Sequence, residues 1–267
     1  MLNVRRNMKQ IHLHSLLKSR GCKGLAYSVI GLALLTVIIA FIQNALTTNH
    51  LMKVTPDAAI GNPKLMEFAE KRGAPLFRTH CASCHGEDGK GNTIFGVPNL
   101  TDRDWLYGTG RVSDIEKVLF YGIRSHNPRG WNLAVMPAFA RPVPSVTERI
   151  PPMTPGETRA VIAYLLKLEN RPAGGTLAAA GDMIFHGNGG CYDCHTADAK
   201  GDSAIGAPDL TDGIWLYGDG SPAAMFESIA YGRQGICPAW TGKLSLPAIR
   251  EISIFVYSLS QNVGRKK

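Results

Sequence analysis

The hydrophobic pattern of the chain is dominated by one long apolar stretch near its start. It runs from Leu25 to Ile42, and no Asp, Glu, Lys or Arg occurs between Lys23 and Lys53. A helix of about 18–20 residues spans roughly 27–30 Å, which is enough to cross the hydrocarbon layer of a bilayer. The pattern therefore predicts a transmembrane anchor at residues 25–46, followed by a linker at residues 47–63.

Beyond the anchor, apolar residues recur at helical spacing between loops rich in glycine and proline. Several of these segments carry start and stop signals, namely capping residues at the first turn and glycine after the last. The pattern predicts an all-α fold with helices at Leu65–Thr79, from a Ser113-x-x-Glu116 capping box to Gly122, from Thr154 to Glu169, at Leu177–Gly187, from Ser221 to Gly232, and at Pro247–Ser260.

The sequence contains an internal repeat with a shift of 110 residues. Of the 42 positions from Cys81 to Gly122, 18 are identical to the residues 110 positions later. Self-similarity of this extent is typical of a duplicated structural unit. It predicts a first domain at residues 64–170, a linker at residues 171–175 and a second domain at residues 176–267.

Each copy opens with a Cys-x-x-Cys-His motif, which is the attachment pattern of c-type haem. The two cysteines can form thioethers to the vinyl groups of one haem, and the adjacent histidine then binds the iron. A zinc site would need two further close ligands, and a thioredoxin-like redox pair needs no following histidine. The sequence therefore predicts two haem c groups in two tandem cytochrome-c-type helical domains, held by Cys81, Cys84 and His85 and by Cys191, Cys194 and His195.

A low-spin electron-transfer haem usually has a sixth ligand, often methionine. After Gly122 the two copies diverge, and the first has a nine-residue insertion once the two Pro-Ala-aromatic triplets are aligned. This alignment makes Met136 the predicted sixth ligand in the first copy, with Met153 and His126 as alternatives.

The same alignment places Cys237 where the second copy would be expected to have methionine. Three hypotheses stay open: a thiolate ligand that lowers the reduction potential, a neutral thiol beside a five-coordinate iron, or a small buried residue. In the third case the sixth ligand would be Met183, Met225 or His186.

The distribution of charge argues against a nucleic-acid-binding protein. The formal net charge is +8, but seven of the 29 Lys and Arg residues lie in residues 1–53, which contain no Asp or Glu. By the positive-inside rule, residues 1–24 stay in the cytoplasm and the haem domains lie in the periplasm of a bacterial inner membrane. A cleaved signal peptide is less favoured, because the apolar stretch is long and no small-x-small site follows it. Cys22 precedes the stretch, which excludes a lipoprotein.

Several motifs together resemble one protein family. They are the repeated Pro-x-Leu-Thr-Asp-x-x-Trp-Leu-Tyr-Gly, the Cys-His-Gly-Glu-Asp-Gly-Lys-Gly stretch, Met136-Pro137-Ala138-Phe139 and Gly122-Ile123-Arg124-Ser125-His126. Over residues 65–262 the chain resembles the membrane-anchored dihaem subunit of cbb3-type cytochrome c oxidases, the CcoP or FixP type.

This resemblance implies roles for individual residues. Met136 would share one haem with the first motif, and the carbonyls of Pro98 and Pro208 would accept hydrogen bonds from the two haem-binding imidazoles. For Trp105, Tyr107, Trp215 and Tyr217 two hypotheses stay open: these aromatic residues line the haem edge or bond its propionates, or they serve packing alone.

The implied function is electron relay in a respiratory chain. Electrons would pass from a soluble cytochrome c or a quinol-oxidising complex to the monohaem and catalytic subunits of a terminal oxidase, so the chain would not reduce oxygen by itself. The alternatives are a carrier for an alcohol dehydrogenase or nitric oxide reductase, and a haem enzyme or gas sensor. Two features depart from the family: Cys237, and a basic segment before the anchor in place of an acidic, aromatic-rich one.

Overall fold

The computed structural model describes the backbone of residues 2–143 and 150–261, and within those ranges the side chains from residue 27 onward. Both predicted domains are affected, since residues 144–149 within the first and residues 262–267 at the end of the second lie outside the described residues. So do the side chains of the basic segment at residues 1–24. The chain divides into two units, residues 1–53 and residues 54–267.

The first unit is a single helix, α1 (Leu2–Lys53). Within it, Tyr27–Lys53 is long and apolar enough to cross a membrane, with a mean hydropathy of 2.3. Its large apolar side chains are exposed, up to 74% for Phe41, as a lipid-facing helix requires. The helix extends past the predicted end of the anchor to Lys53, and the Thr47 hydroxyl donates to the carbonyl of Gln43 within it.

The second unit is built from short helices joined by long loops, and the described residues contain only isolated β-bridges and no strand. The all-α prediction is therefore confirmed. After a 3-10 turn at Asp57–Gly61, the helices are α2 (Pro63–His80), α3 (Ala82–His85), α4 (Val112–Tyr121), α5 (Pro155–Leu168), α6 (Gly175–His186), α7 (Tyr192–His195), α8 (Pro222–Tyr231) and α9 (Leu246–Gln261).

Local capping chemistry fixes where some of these helices begin. The predicted capping box at Thr154 and Glu157 starts α5, and Ser221 caps α8. The predicted box at Ser113 and Glu116 is wrong, since α4 begins at Val112 without a side-chain cap. Its two polar residues have tertiary partners instead: the Ser113 hydroxyl donates to Asp57, and Glu116 accepts from Arg250.

Helices from one sequence copy pack against helices from the other copy. Helix α2, which precedes the first haem motif, packs against α9 at the end of the second copy, and α9 also contacts α4. Helix α6, which precedes the second motif, packs against α5 at the end of the first copy, and α5 contacts α8. We call α2, α3, α4 and α9 the first bundle, and α5, α6, α7 and α8 the second bundle.

Each of these exchanged contacts depends on a glycine. A Cβ at Gly73 of α2 would collide with the carbonyl of Glu251 in α9, and a Cβ at Gly181 of α6 would collide with the carbonyl of Ala160 in α5. Only glycine allows two helix backbones to approach this closely. A helix crossing that depends on glycine thus occurs twice, and each crossing joins helices from different copies.

The chain passes between the bundles through two segments that pair with each other. Ile123 and Cys237 form an antiparallel bridge, as do Met136 and Arg233. The division of the sequence at residues 171–175 remains a prediction, and each bundle draws on both sides of it.

Candidate functional site

The two Cys-x-x-Cys-His motifs form matching single helical turns in the two bundles. In each, the histidine amide donates to the carbonyl of the first cysteine, His85 to Cys81 at 3.0 Å and His195 to Cys191 at 2.9 Å. The motif thiols form no disulfides among the described residues. Each turn therefore presents two free thiols and an imidazole together, as covalent haem attachment requires.

Both imidazoles are held in the tautomer that suits a metal ligand. The Nδ1 of His85 lies 3.2 Å from the carbonyl oxygen of Pro98, and the Nδ1 of His195 lies 3.0 Å from that of Pro208. Because a carbonyl can only accept, each Nδ1 carries the hydrogen and the Nε2 lone pair stays free. Burial lowers the pKa of both histidines, which favours the neutral form that binds iron.

One continuous cavity of about 1040 Å³ is lined by both motifs. This volume lies just above the range of roughly 300–1,000 Å³ that is usual for pockets holding a single small ligand. Its walls are mainly apolar side chains from both bundles, among them Phe77, Leu119, Phe185 and Ile229. A large, mostly apolar space with thiols and imidazoles at two places fits haem.

The structure places each of the two predicted sixth ligands, Met136 and Cys237, near the haem motif of the other copy. Met136 packs against the apolar cluster of the second bundle, which includes Phe185 and Ile229 and is contacted by Cys191. Three residues later, the chain is fixed to the end of α8, where the amide of Phe139 donates to the carbonyl of Ile229 at 3.0 Å.

Cys237, which follows the second motif in the sequence, lies near the first motif. Burial raises the pKa of both Cys237 and Cys81, and the two also feel neighbouring thiols: Cys84 adds to the effect on Cys237, and Cys237 adds to the effect on Cys81. Three residues later the amide of Trp240 donates to Leu119 at the end of α4. The structure thus brings Met136 to the second motif and Cys237 to the first, whereas the resemblance implied a pairing of Met136 with the first motif.

Burial keeps these thiols protonated in the protein alone. It raises the pKa of Cys237 to about 11 and that of Cys81 to about 12, with neighbouring thiols adding to the effect. Burial also raises the pKa of Cys191 to about 11. The environment is apolar rather than one that activates a free thiolate.

Of the alternative sixth ligands, one lines the cavity among the described residues. Met225 is buried in the second bundle and forms part of the cavity wall, whereas His126, Met153, Met183 and His186 do not line it. The Met183 side chain is 72% exposed, and the imidazole of His186 is bound to the carbonyls of Asp182 and Ala197.

The four predicted aromatic residues all line the cavity but differ in their polar contacts. The indole N–H of Trp215 donates to Glu169 at 3.0 Å, so this group already has a protein acceptor. The rings of Tyr107 and Tyr217 cross between the copies. Tyr107 lies against Gly206 and Tyr217 against Gly96, and a Cβ at either glycine would overlap the ring.

Sequence analysis missed two cavity-lining arginines in the segments that pass between the bundles. Arg233 lies over the ring of Tyr217 at 4.5 Å from its centroid. Arg124 lies over the ring of Tyr107 at 5.9 Å from its centroid, and it donates to the carbonyls of Gly235 and Ala134. The Gly-Ile-Arg stretch after α4 was the available signal, but its contacts depend on the exchange of segments.

Comparison with known proteins agrees with these features. A family model described as cytochrome c matches residues 70–169. The fold, the two motifs and the cavity thus define a haem-binding cytochrome c.

The family follows from relatives that match most of this chain. The CcoP subunit of the cbb3-type cytochrome c oxidase of Rhodobacter capsulatus is 38% identical over 225 residues, covering 81% of this chain and 71% of that protein. The FixP subunit of Sinorhizobium medicae is 36% identical, covering 75% of this chain and 64% of that protein. The FixPc subunit of Rhizobium leguminosarum bv. viciae is 40% identical, covering 73% and 62%.

The chain belongs to the CcoP/FixP family of cbb3-type cytochrome c oxidase subunits. It spans less than two thirds of the length of the FixP and FixPc relatives.

Proposed function

We propose that the chain is a membrane-anchored dihaem cytochrome c that relays electrons as a subunit of a cbb3-type oxidase. The observation that carries this proposal is the single cavity lined by both Cys-x-x-Cys-His motifs. Two attachment sites that share one apolar space would hold two haems near each other inside one compact unit. Closeness of that kind is what a relay needs.

Haem iron supplies the one-electron exchange between ferric and ferrous states. The protein supplies the remaining functions. Pro98 and Pro208 orient the imidazoles through their carbonyls, and the apolar walls limit access of water, which tunes the reduction potential. These residues position the group, and the chain needs no acid–base chemistry of its own.

The axial ligands are proposed to be exchanged between the copies. Met136 would bind the iron above His195, since both belong to the second bundle, and Cys237 would face the iron above His85. The atypical cysteine would then act on the haem of the first motif, not on that of the second as sequence order suggests. The packing of Met136 and the nearness of Cys237 to Cys81 support this assignment.

Removing one haem at a time tests this exchange. Ferric haem with a methionine ligand has a weak charge-transfer band in the red. A variant without the first haem (Cys81→Ser with Cys84→Ser) should keep the band, and a variant without the second (Cys191→Ser with Cys194→Ser) should lose it. The opposite result would restore the pairing of Met136 with the first motif.

The proposal also covers how the chain is oriented in the membrane and which proteins exchange electrons with it. The basic residues before the apolar helix support an orientation in which the N-terminus would lie in the cytoplasm and the second unit in the periplasm of a bacterial inner membrane. The donor would be a soluble cytochrome c or a quinol-oxidising complex, and the acceptors would be the monohaem and catalytic subunits.

Affinity purification of the tagged full chain from its native membranes tests this function. We expect two covalent haems per chain and co-purification of a copper-containing subunit that oxidises reduced cytochrome c with oxygen. Two haems without an associated oxidase would instead support a carrier for another respiratory enzyme, and absence of covalent haem would overturn the proposal.

A further inference from the structure

We propose that His186 is a positioning residue for the second haem. As an imidazolium it holds the loop at residues 196–199 beside the second motif, so that the reduction potential of this haem depends on pH. The inference rests on the proposed function, because it assumes that a haem is attached to the second motif. It gives a role to a histidine that does not line the haem cavity.

The first observation is that both ring nitrogens of His186 face acceptors. Its Nε2 lies 2.8 Å from the carbonyl oxygen of Ala197. Its Nδ1 lies 3.0 Å from the carbonyl oxygen of Asp182 and 2.7 Å from the carboxylate of the same residue. A neutral imidazole carries a hydrogen on one nitrogen only, so its other nitrogen would face an oxygen without donating to it. The geometry therefore favours the imidazolium, which donates from both nitrogens.

The second observation is the strained backbone of the loop that accepts one of these hydrogen bonds. Thr196 has φ 63° and ψ 164°, a conformation that is essentially confined to glycine, and Ala199 has a φ of 59°. The first copy has glycine at both corresponding positions, Gly86 and Gly89, with φ values of 78° and 75°. The second copy thus forms the same loop with side chains that disfavour it. The carbonyl that accepts from the imidazolium lies between the two strained residues.

The third observation is that the loop is attached directly to the haem-binding turn. Thr196 follows His195, and the amide of Gly201 donates to the carbonyl of His195 at 2.9 Å. The imidazole of His186 also stacks on the ring of Tyr192, inside the second motif, with 23° between the ring planes and 6.4 Å between centroids. The hydrogen bond to the loop therefore acts next to the residue that binds the iron, and the positive charge lies beside the motif.

The titratable groups that face His186 favour its protonated form or are uncharged. Asp182 on the same helix supplies a carboxylate. Helices α5 and α7 contribute the phenols of Tyr164 and Tyr192, which are uncharged at neutral pH. The carboxylate of the loop, Asp198, is bonded to a hydroxyl and an amide within its own segment. Asp182 is thus the charged group that acts on the imidazole.

These contacts set the pH range of the effect. The hydrogen bond to the carbonyl of Ala197, and then that to Asp182, raises the pKa of His186 above its ordinary value of 6.5. Because the folded-state pKa is raised, the hold on the loop is complete below about pH 6.5 and is lost as pH rises through the higher, folded-state pKa. Loss of the positive charge disfavours ferrous haem, so the reduction potential falls over the same range. The side chain is 35% exposed, so solvent screens part of the charge.

The test is a spectroelectrochemical titration of the haem-loaded full chain between pH 5 and 9. The wave of the second haem is the one that remains in the variant with Cys81→Ser and Cys84→Ser. As pH rises, we expect the ratio of reduced to oxidised second haem at a fixed potential to fall about 2- to 4-fold. In His186→Gln this wave should lose that dependence and stay near its high-pH position.

His186→Arg separates the charge from its titration, because a guanidinium stays protonated. The first copy already has arginine at this place, since Arg78 follows Phe77 as His186 follows Phe185. The variant should keep the wave near its low-pH position up to pH 9.

Two further variants check the origin of the profile. Asp182→Asn removes the facing carboxylate, so the fall in potential should begin at a lower pH. The matched control His126→Gln replaces an imidazole in the insertion that does not line the cavity, and it should reproduce the wild-type profile.

Hydrogen exchange measured by mass spectrometry gives a readout that does not depend on potential. At pH 6 the amides of residues 196–201 should exchange faster in His186→Gln than in the wild type, because the loop is held less firmly. Adding Thr196→Gly and Ala199→Gly to that variant removes the strain. Exchange should then become slow again, whereas the pH dependence of the potential should stay lost.

Three results would overturn the inference. They are a wild-type pH profile in His186→Gln, equal profiles in His186→Gln and His186→Arg, and a change confined to the wave of the first haem. Failure of the proposed function is distinguishable: a chain without covalent haem would show no wave, and a chain without an associated oxidase would still show both waves and their pH profiles.

Discussion

At the residue scale, acidic side chains near the cavity introduce a pH dependence outside the motifs. Asp104 lines the cavity, and burial together with the charges of Asp212, Asp102 and Asp209 raises its pKa to about 6. Of these four aspartates, Asp102 and Asp104 belong to the first copy of the repeat, and Asp209 and Asp212 belong to the second. The clustering of like charges is thus a product of the association of the copies.

Replacing this carboxyl should make the protein more stable at neutral pH. Because the folded-state pKa is raised above the ordinary value, the folded protein holds this proton more tightly, and stability falls as pH rises from about 4 through about 6. We expect Asp104→Asn to gain roughly 1–2 kcal/mol in free energy of unfolding at pH 7 and nothing at pH 4. Denaturant titration at several pH values measures this.

Asp88→Asn serves as the control for that measurement. The Asp88 carboxylate is exposed, and hydrogen bonds from Lys90 lower its pKa, so its loss should not stabilise the protein at pH 7. Equal behaviour of the two variants would contradict the assigned environment of Asp104.

Cys237 offers a second prediction at this scale. A thiolate on the iron lowers the reduction potential, whereas a thioether raises it. If Cys237 is a ligand, Cys237→Met should raise the midpoint potential of one haem and roughly double the red methionine band of the ferric protein. A spectrum and titration identical to those of the wild type would show that Cys237 does not bind the iron.

At the scale of elements, the stability of the protein depends on glycines at the helix crossings, where a side chain would collide with the facing helix. Gly181→Ala should destabilise the protein by about 1–3 kcal/mol, because the new methyl group would overlap the backbone of α5 at Ala160. Gly175 lies at the start of the same helix with open space around it, so Gly175→Ala should be neutral or stabilise by up to about 1 kcal/mol. Thermal unfolding of the two variants side by side measures the difference.

Ion pairs add to the attachment of α9 to the first bundle. Arg250 on α9 donates to Glu116 on α4 at 2.7 Å, and both side chains are less than 10% exposed. Arg72 on α2 donates to Glu251 on α9 at 2.6 Å. Burial raises the pKa of Glu251 even so. Such pairs specify which helices associate more than they stabilise the fold.

At the scale of the whole molecule, the two bundles depend on both halves of the sequence. Helix α9 contributes Ile249, Ile252 and Val256 to the core around Phe77 and Ile115. Burying these three side chains is worth roughly 5–9 kcal/mol, which is comparable to the total stability of a small domain. The first haem motif therefore cannot have a complete core without the end of the second copy.

Cutting the chain between the copies should reveal this dependence. With a specific protease site inserted after Ala173, we expect the cleaved fragments to stay together in native gel filtration and to separate only in denaturant. Residues 54–170 expressed alone should fail to give a stable monomer with one haem. Two fragments that fold and separate independently would show that each copy is a self-sufficient domain.

The sequence alone determined the features that rest on local chemistry. The apolar stretch gave the anchor, the repeated Cys-x-x-Cys-His gave haem c, and helical periodicity with the caps at Thr154 and Ser221 gave the all-α class. Each depends on residues within a few turns of one another, so spacing suffices. The Ser113–Glu116 box misled because its side chains formed distant contacts.

The tertiary structure decided which helices and which predicted sixth ligand lie around each haem motif. Periodicity cannot tell whether α2 packs against α5 or against α9, because a duplicated sequence supplies two nearly equivalent partners for every contact. The paired segments around Ile123 and Cys237 carry the chain across between the bundles, and they thereby place Met136, Cys237 and Arg124. The choice between equivalent partners was made by long-range packing and not by local sequence.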